Sequence, residues 1–499
     1  MEKLLGDHWD ICVPPAGVTQ SPLGHIGPTS LSQKRFDKYI TPIPLTPKIK
    51  FRILEYRERR TMSDTAKVTY SHLMQVPLKY LKIVGVLNNV PQKSEFRRVL
   101  AQMNFIFVHV VCWVSSVNHF MATVTRSVRY MPEFFQRLLE DLTINLFLGT
   151  SLICCYHNKH VQFIIKFMEN YFSVADEQVI KACNRSTKIL LIVFTTFGTV
   201  VFTLPVFETF LPISEQEKDL IACIYKRSHP ERRFAVNLWV PFIDDSESWY
   251  YECIFMFEIY QIYLLLMVAV PATTIIPMFI TYTEGQYVIL SDFVEKIGQT
   301  HTDKIGRRIF YTSLRKGEWV YVSSLVSKRN EKQQLKRLLE SYEKEYCRQV
   351  IKFHHMLLKF QYELHILYTR FMSGAHTLNN LMLAICMYQL LANPQSLSVT
   401  RLVKFILDIA AVLTEFYYLC YCSERLDECN ARLRRAVVNC DWHRCSNDTR
   451  LALCMFLRKV QEKNHLHFFH GLVFFGNELF LKVIKISYSF VNFMRLNSS

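Results

Sequence analysis

Residues 99–125 read VLAQMNFIFVHVVCWVSSVNHFMATVT, a run of 27 residues without a charge between Arg98 and Arg126. Four more charge-free runs of 17 to 30 residues cover positions 142–158, 189–207, 259–283 and 371–400. About 20 apolar residues in a helix span a bilayer, and 18 or more with few charges usually indicate such a span. Buried helices of soluble proteins rarely run this long without a charge. The chain is therefore predicted to cross a membrane.

Two further apolar segments carry charges. Residues 405–423 contain Asp408 and Glu415, and residues 465–495 contain Glu478, Lys482 and Lys485. A charge at the bilayer centre costs roughly 2.5–3.5 kcal/mol on insertion scales, so such residues usually face protein or water. We expect both segments to be interior helices, which brings the predicted total to seven spans in an all-α fold.

The distribution of Lys and Arg predicts the orientation. Residues 1–98 hold about 16 of them, residues 284–370 about 16 and residues 424–466 about 9, whereas the loop 208–250 holds about five, which its acidic residues outnumber. Basic residues are enriched on the cytoplasmic side. The N-terminus is therefore predicted to be cytoplasmic and the C-terminus extracellular, opposite to a G-protein-coupled receptor. Met1–Pro15 is polar, which argues against a signal peptide.

Together these patterns predict six regions. In chain order they are a cytoplasmic extension with an amphipathic segment (1–97), spans one to four with an extracellular loop at 208–250 (98–283), a cytoplasmic helical region (284–370), spans five and six (371–423), a cytoplasmic anchor helix (424–464) and the seventh span (465–499).

Composition argues against several other functions. The net charge of +16 fits a basic cytoplasmic face beside anionic lipid better than nucleic acid. Nucleotide-binding, serine-hydrolase and zinc-protease motifs are missing, so we expect neither catalytic residues nor a cofactor. Cys440, His443 and Cys445 lack the further ligands of a zinc site, and no metal is expected. Cys223 and Cys253, near the outer loop, are the two cysteines that could pair.

Two motifs near the C-terminus carry a family resemblance. One is the aromatic segment Tyr418-Leu419-Cys420-Tyr421, and the other is Ser487-Tyr488-Ser489 in the last helix. Together they resemble the C-terminal region of insect odorant receptors. The resemblance implies a seven-helix, ligand-gated cation channel that binds small odorants and assembles with a co-receptor as a heterotetramer. It places the chain in the plasma membrane of an olfactory sensory neuron.

The same resemblance extends over residues 76–496, with two departures. The outer loop matches at Trp239, Pro241 and the tyrosines 250–251. Near the N-terminus, Leu87 replaces the tryptophan that the family carries, and the proline comes late, at Pro91. The family usually begins almost at this segment, so the N-terminal extension is atypical.

The resemblance also assigns the pore and gate to the last helix and a subunit anchor to the cytoplasmic helices. Positions spaced by four, three and four residues share one helical face. We expect this face to line the pore, and alignment places Phe493 near the gate. The alternative is that the lysines pair with acids of neighbouring helices outside the pore. The predicted pore residues are Lys482, Ile486, Ser489 and Phe493.

Aromatic residues in the outer halves of spans three, four and six predict an apolar ligand site, since dispersion and desolvation supply the affinity for a small volatile molecule. Ordinary membrane packing explains any single aromatic residue equally well. An acid in the same region needs a protein base, water or a cationic ligand as partner. The predicted ligand-binding residues are Phe197, Phe202, Phe257, Tyr260, Phe405 and Asp408.

Three other classes fit the sequence less well. Gustatory receptors end in a tyrosine followed six positions later by glutamine, where this chain has Tyr488 and Met494. G-protein-coupled receptors carry sequence signatures that are missing here. A transporter or a non-channel interaction protein is the remaining alternative, although transporters commonly contain internal repeats, and this chain shows none.

Overall fold

The structure is a computed structural model that describes residues 71–85, 95–213, 215–236, 238, 244–322, 329–392, 399–468 and 471–498. Some sequence predictions lie outside these residues: most of the N-terminal extension, the departures at Leu87 and Pro91, and the outer-loop matches at Trp239 and Pro241.

Most of the described chain is helical, as predicted. The helices are α1 (Ser71–Ile83), α2 (Glu95–Thr125), α3 (Met131–Tyr156), α4 (Asn158–Tyr171), α5 (Glu177–Thr209), α6 (Glu215–Tyr225), α7 (Ser248–Glu295), α8 (Arg329–Ala392), α9 (Val399–Asn439), α10 (Asn447–Val460) and α11 (Asn477–Ser498). The strands are β1 (Ile309–Ser313), β2 (Glu318–Tyr321), β3 (His467–Phe468) and β4 (Val473–Phe474).

Within the described residues, four helical segments are long and apolar enough to cross a membrane: Val99–Arg129, Met131–Tyr156, Glu177–Thr209 and Ser248–Glu295. They contain the first four predicted spans except for residues 157–158 of the second, which lie beyond the end of α3. These helices differ in how much of their apolar surface the rest of the chain covers. In the most apolar 18-residue stretch of α5, 11% is buried, compared with 72% in that of α7. An apolar face left uncovered must contact lipid or a partner, so α5 is peripheral and α7 is central.

Of the remaining three predicted spans, the sixth (405–423) lies within α9, residues 371–392 of the fifth lie in α8, and residues 477–498 of the seventh form α11. Helix α8 joins the charged amphipathic segment and the fifth predicted span without a break, and α9 does the same for the sixth span and part of the anchor. Helices α8 and α9 are far longer than a bilayer requires. That all seven segments cross the membrane stays a prediction.

Two antiparallel hairpins depart from the all-α expectation. One pairs β1 with β2, with Ile309 opposite Tyr321. The other pairs β3 with β4 and lies inside the segment predicted as the seventh span. The last helix consequently begins at Asn477 rather than near position 465. Gly471, in the turn between β3 and β4, has φ of +88°, which favours glycine and explains the break.

Helix α7 packs against α5 and α9 at the centre of one hydrophobic core. Tyr282 and Phe279 are fully buried on it. At Gly285 a Cβ atom would lie 2.4 Å from the Cys183 sulfur of α5. Glycine therefore allows these two helices to approach closely, in the manner of small residues at membrane-helix contacts.

The C-terminal end of α7 contacts the segment that follows α9. Gly298 has φ of +81°, and a Cβ atom there would lie 2.3 Å from the backbone oxygen of Asp441. The Asp441 amide donates to the Ile297 carbonyl at 3.1 Å. Nearby on α8, burial lowers the pKa of His354 to about 4, so its imidazole is neutral where it contacts Phe456 of α10.

This junction predicts unequal effects for two glycine substitutions. Gly306 also has a positive φ of +83°, but no described atom outside its immediate neighbours lies within 4 Å of the position that a Cβ atom would take. Gly306→Ala should cost about 1–2 kcal/mol from backbone strain alone. Gly298→Ala should cost roughly 1–3 kcal/mol more, because the added methyl group overlaps backbone atoms. Unfolding in detergent measures both, and equal losses would contradict the close contact.

Candidate ligand cavity and last helix

A cavity of about 110 Å³ lies between five helices. Helix α3 contributes Leu139, Thr143, Leu146 and Phe147, α5 contributes Phe194, Phe197, Gly198, Val201 and Phe202, α7 contributes Ala269, Val270 and Thr273, α8 contributes Asn379 and Met382, and α9 contributes Asp408, Ala411, Val412, Thr414 and Glu415. Its wall is mostly apolar with a few polar groups, which is the usual character of a small-molecule site.

The cavity brings together three of the predicted ligand-binding residues, Phe197, Phe202 and Asp408. The Phe202 ring also packs on Phe147 at 5.6 Å between centroids. The other three do not line it. Phe405 is fully buried in the core, Phe257 is half-buried, and Tyr260 is exposed on α7.

Sequence reasoning missed Phe194 and Glu415 as cavity residues. Phe194 precedes Phe197 by three positions, and Glu415 follows Asp408 by seven, so both spacings fall on one helical face. This periodicity was the available signal. The contributions of Thr143 and Asn379 had no such signal, because they depend on which faces of α3 and α8 meet.

Gly198 forms part of the cavity wall on α5. A Cβ atom there would lie 3.6 Å from Leu266 and 3.9 Å from Val270, which are ordinary contacts. The opposite wall on α7 includes Thr273, between Pro271 and Pro277. Thr273 donates its hydroxyl to the backbone oxygens of Ala269 and Val270, so its polar group is satisfied within the helix.

Asp408 and Glu415 are the two acidic residues of the cavity. Within the part of the chain that the structure describes, neither side chain forms a hydrogen bond or an ion pair. Both lie in the predicted sixth span, where an uncompensated charge is costly.

The last helix, α11, has one buried and one exposed face. Val483, Ser487 and Val491 are buried against the rest of the chain. The predicted pore residues lie on the exposed face, with Ile486 at 66% and Phe493 at 61% exposure. These four residues are Lys482, Ile486, Ser489 and Phe493. Such an apolar stripe needs a further partner, lipid or another subunit, to cover it.

Lys482 forms an ion pair with Glu478, one turn earlier on the same helix, with 2.8 Å between nitrogen and oxygen. The alternative interpretation of the sequence requires Lys482 to pair with an acid of a neighbouring helix, and within the described residues it forms no such pair. The pair makes this level of the exposed face close to neutral.

Helix α9 holds the start of α11 through two side chains. Ser423 Oγ donates to the Phe475 carbonyl and accepts from the Leu466 amide, both at 2.8 Å. Glu424 accepts from the Asn477 amide at 3.0 Å, which places a carboxylate at the first turn of α11, where the helix dipole favours negative charge. We call Ser423 and Glu424 the α9–α11 joint.

The comparisons with known proteins address the same elements. The model of the 7tm odorant receptor family matches residues 132–488. The chain belongs to the odorant receptor family. The resemblance to insect odorant receptors is thereby confirmed, and the chain is a receptor of the membrane.

Two solved structures resemble this odorant receptor chain. Both are of the insect olfactory receptor OR5 from Machilis hrabei, one of them in complex with eugenol. The first has a TM-score of 0.62 at 10% identity and covers 85% of this chain and 98% of that one. The eugenol complex has a TM-score of 0.63 at 12% identity and covers 86% and 100%. At such identities the likeness shows the fold. No curated protein sequence matches the chain.

Beside the cavity, this odorant receptor chain contains an ionic network buried between α2, α3 and α9. Glu140 contacts Arg137 at 2.7 Å and Lys404 at 2.6 Å. Arg137 also contacts Glu133 at 2.8 Å. His119 lies 2.5 Å from Asp141 and 3.4 Å from Glu140. The acids and bases of this network match in number when His119 is protonated. Within it, Lys404 forms an ion pair with Glu140.

Breaking this network should be far more damaging than breaking a surface pair. Glu140→Gln leaves Lys404 buried without its carboxylate and should cost about 3–5 kcal/mol. Lys181→Met removes an exposed pair with Glu177 on α5 and should cost at most about 1 kcal/mol. Thermal unfolding in detergent distinguishes the two, and a Glu140→Gln receptor as stable as Lys181→Met would show that the network is not formed.

Proposed function

We propose that the chain is an odorant-specific subunit of a ligand-gated cation channel. The cavity between α3, α5, α7, α8 and α9 binds a small volatile ligand, and α11 contributes to the pore. The observation that carries the proposal is that one helix, α9, both lines the cavity and is bonded to the start of α11.

The cavity chemistry supports binding of a small, largely apolar ligand. Four phenylalanines line it, and its polar groups are few. Burial against such a wall provides affinity through desolvation and dispersion. The likeness to a receptor structure that holds eugenol agrees with a volatile ligand. Which volatile ligand this chain binds depends on its own cavity side chains.

We further propose seven spans with the N-terminus in the cytoplasm and the C-terminus outside, in the plasma membrane of an olfactory sensory neuron. The uneven distribution of Lys and Arg supports this orientation. The charges on α9 and α11 explain why these helices need protein or water beside them rather than lipid.

Assembly with a co-receptor into a heterotetramer accounts for the surfaces that this chain leaves uncovered. One is the exposed face of α11. Another surrounds Trp442, which lies just after α9 and is 50% exposed. Tryptophan and apolar side chains of this kind are typical of interfaces. The pore is then shared, and each subunit contributes one copy of α11.

Signal transmission follows from the α9–α11 joint. A ligand that binds the open arrangement more tightly than the closed one shifts the population toward opening. Movement of α9 near Glu415 also displaces α11, because the neighbouring Phe416 ring packs against the Phe480 ring of α11, with 6.0 Å between the ring centroids. Ser423 and Glu424 then carry the same displacement to the first turn of α11.

Filling the cavity tests the proposed function. Gly198→Leu should place a leucine side chain in the cavity and raise the odorant EC50 by about tenfold or more, equivalent to roughly 1.4 kcal/mol. Gly149→Leu on α3 is the matched control, since its Cβ direction is open. Currents in cells that also express the co-receptor measure both. Unchanged potency in Gly198→Leu, with normal surface expression, would show that ligands bind elsewhere.

The exposed face of α11 makes a separate prediction about the pore. Phe493→Ala should raise basal current or change the permeability ratio among cations, because it widens the lumen. Ser489→Lys should reduce cation current by charge repulsion. Val491→Ala, on the buried face, is the control for helix packing. If both exposed-face variants keep wild-type selectivity and basal current while odorant potency changes, α11 does not line the pore.

A further inference from the structure

Two carboxyl groups line the cavity. Asp408 and Glu415 are seven residues apart on α9, which places them roughly 10 Å apart along the helix axis. Both line the cavity, and within the described residues neither forms a hydrogen bond or an ion pair. A polar group that is shielded from water and has no partner is costly. The missing partner is therefore expected to come from the ligand.

The two acids differ in their charged surroundings. Lys404 lies one turn before Asp408 and acts on it electrostatically, although Glu140 holds the lysine directly. Among the described residues, no charged group acts on Glu415, which lies near the middle of the predicted sixth span. At the Asp408 end a cation would have to compete with Lys404 for the carboxylate, whereas at the Glu415 end, among the described residues, it has no such competitor.

The rest of the wall suits the body of such a cation. Phe194 and Phe197 on α5 contribute aromatic surface, as do Phe202 and Phe147. Aromatic faces attract cations as well as hydrocarbon. The uncharged polar residues of the wall, which could accept a second hydrogen bond, are Thr143, Thr273, Asn379 and Thr414. The residues that line this wall include no basic side chain that would favour an acidic ligand.

Building on the odorant-receptor function proposed above, we infer that the ligand of this cavity is a small aliphatic amine whose ammonium group pairs with Glu415 and whose hydrocarbon chain packs against the phenylalanines of α5. An alcohol of the same length fills the same space but leaves the carboxylate without a counter-charge.

The test compares 1-hexylamine with 1-hexanol on the full-length chain expressed with its co-receptor. The EC50 of the amine should be lower by about tenfold or more, because hydrogen bonds to charged groups are the stronger ones. Glu415→Gln should remove this preference while the response to hexanol persists. Glu428→Gln is the matched control, because it makes the same substitution on the same helix at a half-exposed position outside the cavity, and it should retain the preference.

Each outcome is decisive. Equal potency of the two compounds on the wild-type receptor overturns the inference whether or not Glu415→Gln reaches the surface. A preference for hexanol that Glu415→Gln abolishes would show that Glu415 acts as a neutral hydrogen-bond donor, which also overturns it. A receptor that carries current with a co-receptor agonist but responds to neither compound, nor to a wider odorant panel, contradicts the proposed function itself.

Discussion

The bonds that Ser423 and Glu424 make to the start of α11 are the interaction on which the rest of the arrangement depends. Without them α9 and α11, which are separated in the chain by α10 and a hairpin, would be held together by side-chain packing alone. With them, the amide of Asn477 and the carbonyl of Phe475 are fixed to α9. Because α9 is a single helix from Val399 to Asn439, the turns that line the cavity and the turn that carries Ser423 and Glu424 belong to one rigid element.

The membrane explains why the polar groups around this helix are so unevenly satisfied. In hydrocarbon an unpaired polar group has no water to bind, so Thr274 and Thr281 of α7 donate to backbone oxygens of their own helix. The network around Glu140 follows the same rule, with each charge facing an opposite one. Asp408 and Glu415 depart from this rule, since among the described residues neither side chain forms a hydrogen bond or an ion pair. Departures of this kind are expected at functional sites.

The sequence predicted the helical membrane architecture well, because long charge-free runs have few alternative explanations. It also identified the family from two short motifs. It failed where the fold depends on backbone turns and on tertiary contacts. The hairpin 467–474 lies in a segment whose apolar composition fits a helix. The turn at Gly471 is the feature that produces a hairpin there instead of a continuous helix. Phe405 and Asp408 were both expected at the ligand site, but the rotation of α9 turns Phe405 into the core and leaves Asp408 in the cavity wall.

The two faces of α11 show why one chain cannot complete the proposed channel. Its buried face fixes the helix to α8 and α9, while Ile486 and Phe493 remain uncovered. A ring of subunits would cover them, and the neutral Glu478–Lys482 pair would then remove the repulsion that a ring of free lysines imposes on cations. Opening must alter that ring without unfolding the buried face. Displacement of the whole of α11 by α9 satisfies both conditions, and a ligand drives it only to the extent that it binds the displaced arrangement more tightly.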